Sequence, residues 1–238
     1  MTRAADRVIS RPAQTAPPVP KAVAFDLDGT LIDSRADIAA ACNHVLKWAG
    51  RPLLPIETIT SYVGDGARIL LAKAFRLAPH DVALDTLLGE WRRYYSAHPM
   101  VHSSWMPGAQ RALNTLAARG VPVALITNKD RHVTCEILAA LQVTQKFASV
   151  YAGGDGPLKP SPEPVLRVCA ALGVAPEELW FVGDGLQDVQ AARSANARAI
   201  AILSSFNAEA PLRAAAPDAL YESLDAFAQA LEADGGGR

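Results

Sequence analysis

Six side chains in this sequence could together handle a phosphate ester: Asp26, Asp28, Thr127, Lys159, Asp184 and Asp188. Asp26 and Asp28 stand two apart, and residues i and i+2 of an extended segment share one face. One carboxylate could then attack phosphorus while the other lies beside the leaving oxygen, as nucleophile and as acid. Lys159 supplies a cation, Thr127 a hydroxyl, and Asp184 and Asp188 further oxygen donors. A hard divalent ion such as Mg²⁺ takes oxygen ligands, one or two carboxylates plus substrate phosphate.

These residues stand at the ends of apolar runs. Val23-Ala24-Phe25 stops at Asp26, Val121 to Thr127 ends at Thr127-Asn128, and Leu179 to Val182 stops at Gly183-Asp184. Ala199 to Leu203 is a fourth run. Helical spacing separates them at Gly108–Arg119, Asp130–Leu141, Pro162–Leu172 and Leu186–Ala195. Continuous apolar strands alternating with helices read as an α/β fold, a Rossmann-like parallel sheet covered on both faces. Ligands of such a sheet bind beyond the carboxyl ends of its strands, so the reactive residues are expected in one crevice.

The alternation breaks between Ser34 and Ser104, where no strand is evident and Asp37–Ala49, Ile56–Tyr62, Ala67–Leu77 and Val82–Ala97 carry helical spacing. A crossover needs only about a dozen residues, so residues 34–104 are read as an inserted small helical cap domain. The α/β core is then 21–33 and 105–232, with hinges near Asp33–Ser34 and Ser103–Pro107. Residues 1–20, rich in proline, read as a flexible leader, and 233–238 as a flexible tail.

Composition limits the partners. The 238 residues carry 23 Lys+Arg against 24 Asp+Glu, a net charge of −1, which argues against a general nucleic-acid or polybasic membrane surface. No run of apolar residues is long enough to span a bilayer. Cys42, Cys135 and Cys169 are too few for a disulfide framework and are expected in core positions, in a reducing, cytoplasmic compartment. The histidines His44, His80, His98, His102 and His132 show no metal-ligand spacing, and Lys129 reads as a solvated surface lysine.

Four segments in order resemble the motifs of the haloacid dehalogenase superfamily, in its phosphatase branch. They are Phe25-Asp26-Leu27-Asp28-Gly29-Thr30-Leu31-Ile32-Asp33-Ser34, Ile126-Thr127-Asn128-Lys129, Lys159-Pro160 and Gly183-Asp184-Gly185-Leu186-Gln187-Asp188. The resemblance implies an aspartyl-phosphate intermediate on Asp26, with Asp28 as acid and then base. It implies Thr127 and Asn128 on the phosphoryl oxygens and Lys159 neutralising charge. It also implies an Mg²⁺ site from the Asp26 and Asp184 carboxylates and the Asp28 backbone carbonyl. Asp188 would support the metal indirectly or cap its helix.

An acid at position 28 suits an alcohol leaving group, hence a phosphomonoester. The loop Val63-Gly64-Asp65-Gly66-Ala67-Arg68 is not a dinucleotide fingerprint, because position 69 is Ile. It resembles the cap loop of phosphoglycolate phosphatases, which implies Gly64 and Arg68 near the substrate, Arg68 facing a carboxylate. A small phosphorylated metabolite is thus the expected partner, 2-phosphoglycolate first. A sugar phosphate is the alternative; a phosphomutase or an inactive phosphate-binding protein stands behind both. A monomer or homodimer is expected. Three departures from the pattern stand out: Gly185 where Ser is usual, Ala195-Asn196 for Ala-Gly, and Ser204-Ser205-Phe206-Asn207 for a Gly-Tyr-Asn segment.

Overall fold

The computed structural model describes residues 20–233. The expectations for a leader and a tail fall on residues 1–19 and 234–238 and lie outside the described residues, save Pro20 and Ala233 at their edges.

Strand β1 (Ala22–Phe25) is apolar and wholly buried, so both of its faces need cover. A β2–β3 ribbon, Ile32–Asp33 against Ser104–Trp105, runs antiparallel and brackets four helices: α1 (Arg35–Trp48), α2 (Ile56–Thr60), α3 (Ala67–Phe75) and α4 (Ala83–Ala97). The chain then alternates: α5 (Ala109–Ala118), β4 (Val123–Asp130), α6 (Arg131–Ala140), β5 (Ser149–Gly153), α7 (Glu163–Leu172), β6 (Leu179–Gly183), α8 (Leu186–Ser194) and β7 (Arg198–Ile202). It closes with α9 (Glu209–Ala214), β8 (Ala219–Tyr221) and α10 (Leu224–Ala233).

The six strands β5-β4-β1-β6-β7-β8 form one parallel sheet. The period-2 alternation of β1 assigns its faces. Val23 and Phe25 join a cluster with side chains of α5, α6 and α10, including Phe227. Ala22 and Ala24 join the opposite cluster, with Val165 of α7 and Val189 of α8. The sheet is therefore a three-layer α/β fold, as the apolar runs implied. From β1 the chain first builds outward through β4 and β5, then returns to build β6, β7 and β8 on the other side. That reversal places a crevice at the carboxyl ends of β4, β1 and β6.

Four elements of the sheet layers went unread: β5, β8, α9 and α10. At three residues, β8 is too short to show alternation, and Gly153 blurs β5. Strand β3 likewise begins at Ser104, inside the stretch read as strand-free. Asp37 anchors the ribbon to α1. Its buried carboxylate accepts the His102 and Ser103 backbone N–H groups at 2.9 and 2.8 Å and the Ser103 hydroxyl at 2.5 Å.

Candidate active site

Asp26 follows β1 directly and Asp184 follows β6, while Thr127 lies within the long strand β4. Lys159 arrives on the loop between β5 and α7, and Asp188 lies in the first turn of α8. All five are buried, each at most 5% exposed. Lys159 Nζ lies 2.7 Å from Asp26 Oδ1, 2.7 Å from Asp188 Oδ1 and 3.1 Å from the Ile126 carbonyl oxygen. Burial alone would depress this ammonium, but the charges of Asp188 and Asp26 outweigh it and hold its pKa above the usual lysine range.

Three carboxylates share that space. One ligand atom from each of Asp26, Asp184 and Asp188 lies within 4.8 Å of the others. Desolvation, partly offset by Lys159, raises the Asp26 pKa. Desolvation and then the Asp26 charge push Asp184 up to about 6. One lysine among three buried carboxylates leaves an excess of negative charge. An all-oxygen donor set with that excess fits a hard divalent cation.

Asp184 is held rigidly. The Thr30 hydroxyl donates to Oδ1 at 2.9 Å, and the Ser204 hydroxyl and Asn207 amide donate to Oδ2 at 2.6 and 2.9 Å. A carboxylate offers about four acceptor positions, so one stays open for a ligand. Gly29, at φ +86°, passes directly over this group: a Cβ there would stand 2.4 Å from Asp184 Oδ2. Asp188 accepts the Gly185 N–H at 2.9 Å through Oδ2 while Oδ1 faces Lys159, so it serves both its helix start and the cluster.

Asp28 points elsewhere. It accepts the Ser34 hydroxyl at 2.5 Å and lies 2.9 and 3.1 Å from Lys129 Nζ. Lys129 is thus not a solvated surface residue: its side chain is 7% exposed, and Tyr95 of α4 covers it, with the ammonium 4.4 Å from the ring centroid. The sequence pattern showed a polar strand end but not the helix that closes over it. Asn128 ties two loops together, donating to the carbonyls of Gly64 and Lys159 at 2.9 Å each and accepting the Lys159 N–H at 2.8 Å.

Some of these residues line a cavity of about 50 Å³ beneath α1, α3 and α4. Asp26, Asp28, Thr127, Asn128, Lys159 and Gly64 all border it. Arg68 does not. It is half-exposed, pairs with Asp85 and donates to the Pro79 carbonyl, because its position on α3 turns it toward α4 and an outer cleft. The sequence reading passed over Thr30, Gln187, Ser204, Phe206 and Asn207. Only the Ser204–Asn207 segment had drawn notice, as a departure from a pattern. Gly185 leaves room that the Gln187 side chain occupies, since a Cβ there would stand 2.2 Å from Gln187 Nε2. Asn196 takes φ +59°, so the turn expected of a glycine survives. Cys42 and Cys169 are buried as expected, but Cys135 is exposed on α6.

A cluster of carboxylates and a lysine at the reversal point of a parallel sheet, roofed by inserted helices, is the arrangement of an α/β enzyme whose oxygen donors fit a hard cation. The chain belongs to the haloacid dehalogenase-like hydrolase family, whose model matches residues 23–202. Its relatives include the phosphoglycolate phosphatase of Chromobacterium violaceum, 39% identical over 76% of this chain and 84% of that one. The phosphoglycolate phosphatase of Escherichia coli K12 is 31% identical over 89% of this chain and 92% of that one. Among solved structures, one described as a predicted phosphoglycolate phosphatase from Haemophilus somnus superposes with a TM-score of 0.82 at 26% identity, covering 90% of this chain and 99% of that one. Among the described residues no helix is long and apolar enough to cross a membrane.

Proposed function

We propose that this enzyme hydrolyses 2-phosphoglycolate to glycolate and phosphate, with Mg²⁺ as its metal. The observation that carries the reading is the placement of Asp26 and Lys159 at the cavity, with Asp184 clustered against Asp26, in a chain similar over most of its length to phosphoglycolate phosphatases. Residues 34–104 act as a cap that excludes water, and three hydrogen bonds carry it onto β4: Arg92 to Asp130, Asn128 to Gly64 and Lys129 to Tyr95.

In this reading an Asp26 oxygen attacks phosphorus in line with the ester oxygen. The phosphorus–oxygen bond to glycolate breaks as Asp28 delivers its proton to the departing alkoxide. Water then attacks the aspartyl-phosphate, giving its proton to Asp28, and the bond to Asp26 breaks to release phosphate. Lys159 holds Asp26 in place and stabilises the phosphoryl oxygens, with the Thr127 hydroxyl and the backbone at Asn128. The Asp26 and Asp184 carboxylates and the Asp28 carbonyl would hold Mg²⁺, with Asp188 alongside. The bound ion would neutralise charge developing on the transferring group.

The test is a panel of small phosphate esters with Mg²⁺, read as kcat/KM, alongside Asp26→Asn. The expected result is highest turnover on 2-phosphoglycolate, abolished by Asp26→Asn. A low rate on 2-phosphoglycolate beside a high one on a sugar phosphate refutes the substrate. Activity surviving Asp26→Asn refutes the nucleophile. Phosphorus NMR of the products separates hydrolysis from phosphate migration within the substrate.

A further inference from the structure

We propose that Lys129 is the specificity-determining residue of this enzyme, the cation that reads the substrate's carboxylate. The inference rests on the phosphoglycolate reading and deepens it. It begins with a count of cations. Among the described residues lining the cavity, Lys129 and Lys159 are the two that carry positive charge. Lys159 is already held between Asp26 and Asp188 at 2.7 Å each. Arg68 faces the outer cleft, paired with Asp85, and the guanidinium of Arg92 lies on Asp130. Lys129 pairs with one carboxylate, that of Asp28, and is the remaining cavity cation for an anionic group beyond the phosphoryl position.

Covalent geometry points to the same residue. In 2-phosphoglycolate the carboxyl carbon stands two bonds from the ester oxygen, about 2.5 Å away. If Asp28 touches that oxygen to protonate it, the carboxylate must fall within a few ångströms of the Asp28 side chain. Lys129 Nζ stands there, 2.9 and 3.1 Å from the two Asp28 oxygens. Its remaining polar neighbour is the Tyr95 hydroxyl at 3.0 Å, which can turn to donate to an incoming carboxylate. The inserted segment adds the apolar side chains of Ile38, Val63, Leu70 and Trp91 to the lining of the same cavity. An ammonium in such surroundings attracts a carboxylate more strongly than it would in water.

The arrangement also explains why the lysine sits on β4 while its tyrosine comes from α4. A substrate carboxylate bound between them would join the sheet to the helices that close over it. An ester lacking the carboxylate has nothing to offer Lys129 and leaves its contact with Asp28 undisturbed.

The experiment measures the ratio of kcat/KM for 2-phosphoglycolate to that for ethyl phosphate, which matches it in length but lacks the carboxylate. Losses common to both esters, from disturbing Asp28 or the fold, cancel in this ratio. Wild type is expected to favour 2-phosphoglycolate strongly. Lys129→Met is expected to lower the ratio by about 10- to 100-fold, as loss of a charge-assisted hydrogen bond does, with most of the change in KM. Lys129→Gln keeps a polar side chain without charge and is expected to show the same fall. It carries the test if the methionine variant does not fold. A ratio that stays within about threefold of a strongly selective wild type overturns the assignment of Lys129. A wild type with no preference overturns the phosphoglycolate reading itself, and the role of Lys129 with it.

Discussion

Replacing Gly29 by alanine should cripple the site without replacing any group expected to do chemistry. The added Cβ would stand 2.4 Å from Asp184 Oδ2 and 2.8 Å from the carboxyl carbon, about 1 Å inside normal contact. Asp184 has little freedom to retreat, because Thr30, Ser204 and Asn207 all bond its two oxygens. Position 29 also has φ +86°, which costs a non-glycine residue about 1–2 kcal/mol. Loosening one charge-assisted bond adds roughly 1.5–3 kcal/mol. A total near 3–5 kcal/mol corresponds to a fall in Tm of about 6–20 °C for a chain of this size. The decisive assay is Mg²⁺ activation of hydrolysis at a temperature where the variant stays folded. The Mg²⁺ concentration for half-maximal activity should rise by at least about tenfold, which is 1.4 kcal/mol of lost affinity. An unchanged Mg²⁺ requirement with an unchanged Tm would refute both the proximity of Gly29 to Asp184 and the place of Asp184 in the metal site.

Three further outcomes follow from the geometry. Asp28→Asn should lower kcat on alkyl phosphates by about 100- to 10,000-fold, and much less on an aryl phosphate whose leaving group needs no proton; equal losses on both would count against the acid role. Asp37→Ala removes a buried carboxylate that receives the His102 and Ser103 N–H groups, so Tm by differential scanning calorimetry should drop by about 5–10 °C, and an unchanged Tm would mean the ribbon is not anchored there. Arg68→Ala should leave KM for 2-phosphoglycolate within about threefold of wild type, since its guanidinium turns outward to Asp85; a tenfold rise would return it to the substrate.

Much of this site is visible in the sequence because its chemistry sits where apolar runs end. Asp26, Thr127 and Asp184 are marked by the abrupt change from buried strand to polar residue, and a parallel sheet must bring such ends together. Lys159 and Asp188 owe their placement to the order of the motifs. What the sequence hides is contact between segments that are far apart along it. Lys129 looked solvated because nothing in Ile126-Thr127-Asn128-Lys129 reveals that Tyr95, 34 residues earlier, will lie over it. Arg68 looked like a ligand because its loop resembled one, but the face of a helix start depends on how α3 packs against α4. Ser204 and Asn207 were visible only as an imperfect likeness, and their task, holding Asp184, is set by a loop without periodicity.

The carboxylate cluster carries a consequence for stability that sets metal and protons in competition. Burial raises the pKa of Asp26, and burial with the neighbouring charge of Asp26 raises Asp184 to about 6. A carboxyl group whose pKa is higher in the folded chain binds more protons folded than unfolded. Its contribution to stability is therefore present at low pH and is lost as pH rises from the unfolded value of 3.8 through about 6 for Asp184. In the metal-free enzyme, freed of ions by a chelator, this term should lower Tm as pH rises from about 5 to 7. A divalent cation removes the penalty by pairing with the ionised carboxylates, and at a hundred times its dissociation constant it adds about 2.7 kcal/mol, or roughly 5–10 °C. That gain should be smallest near pH 5, where protons already occupy the site, and largest above pH 7, where the carboxylates would otherwise repel one another. Thermal unfolding with and without Mg²⁺ across this range reads the difference directly, and Asp184→Asn, which cannot ionise, should flatten it. A Mg²⁺ stabilisation independent of pH from 5 to 7.5 would mean that the ion binds somewhere other than this cluster.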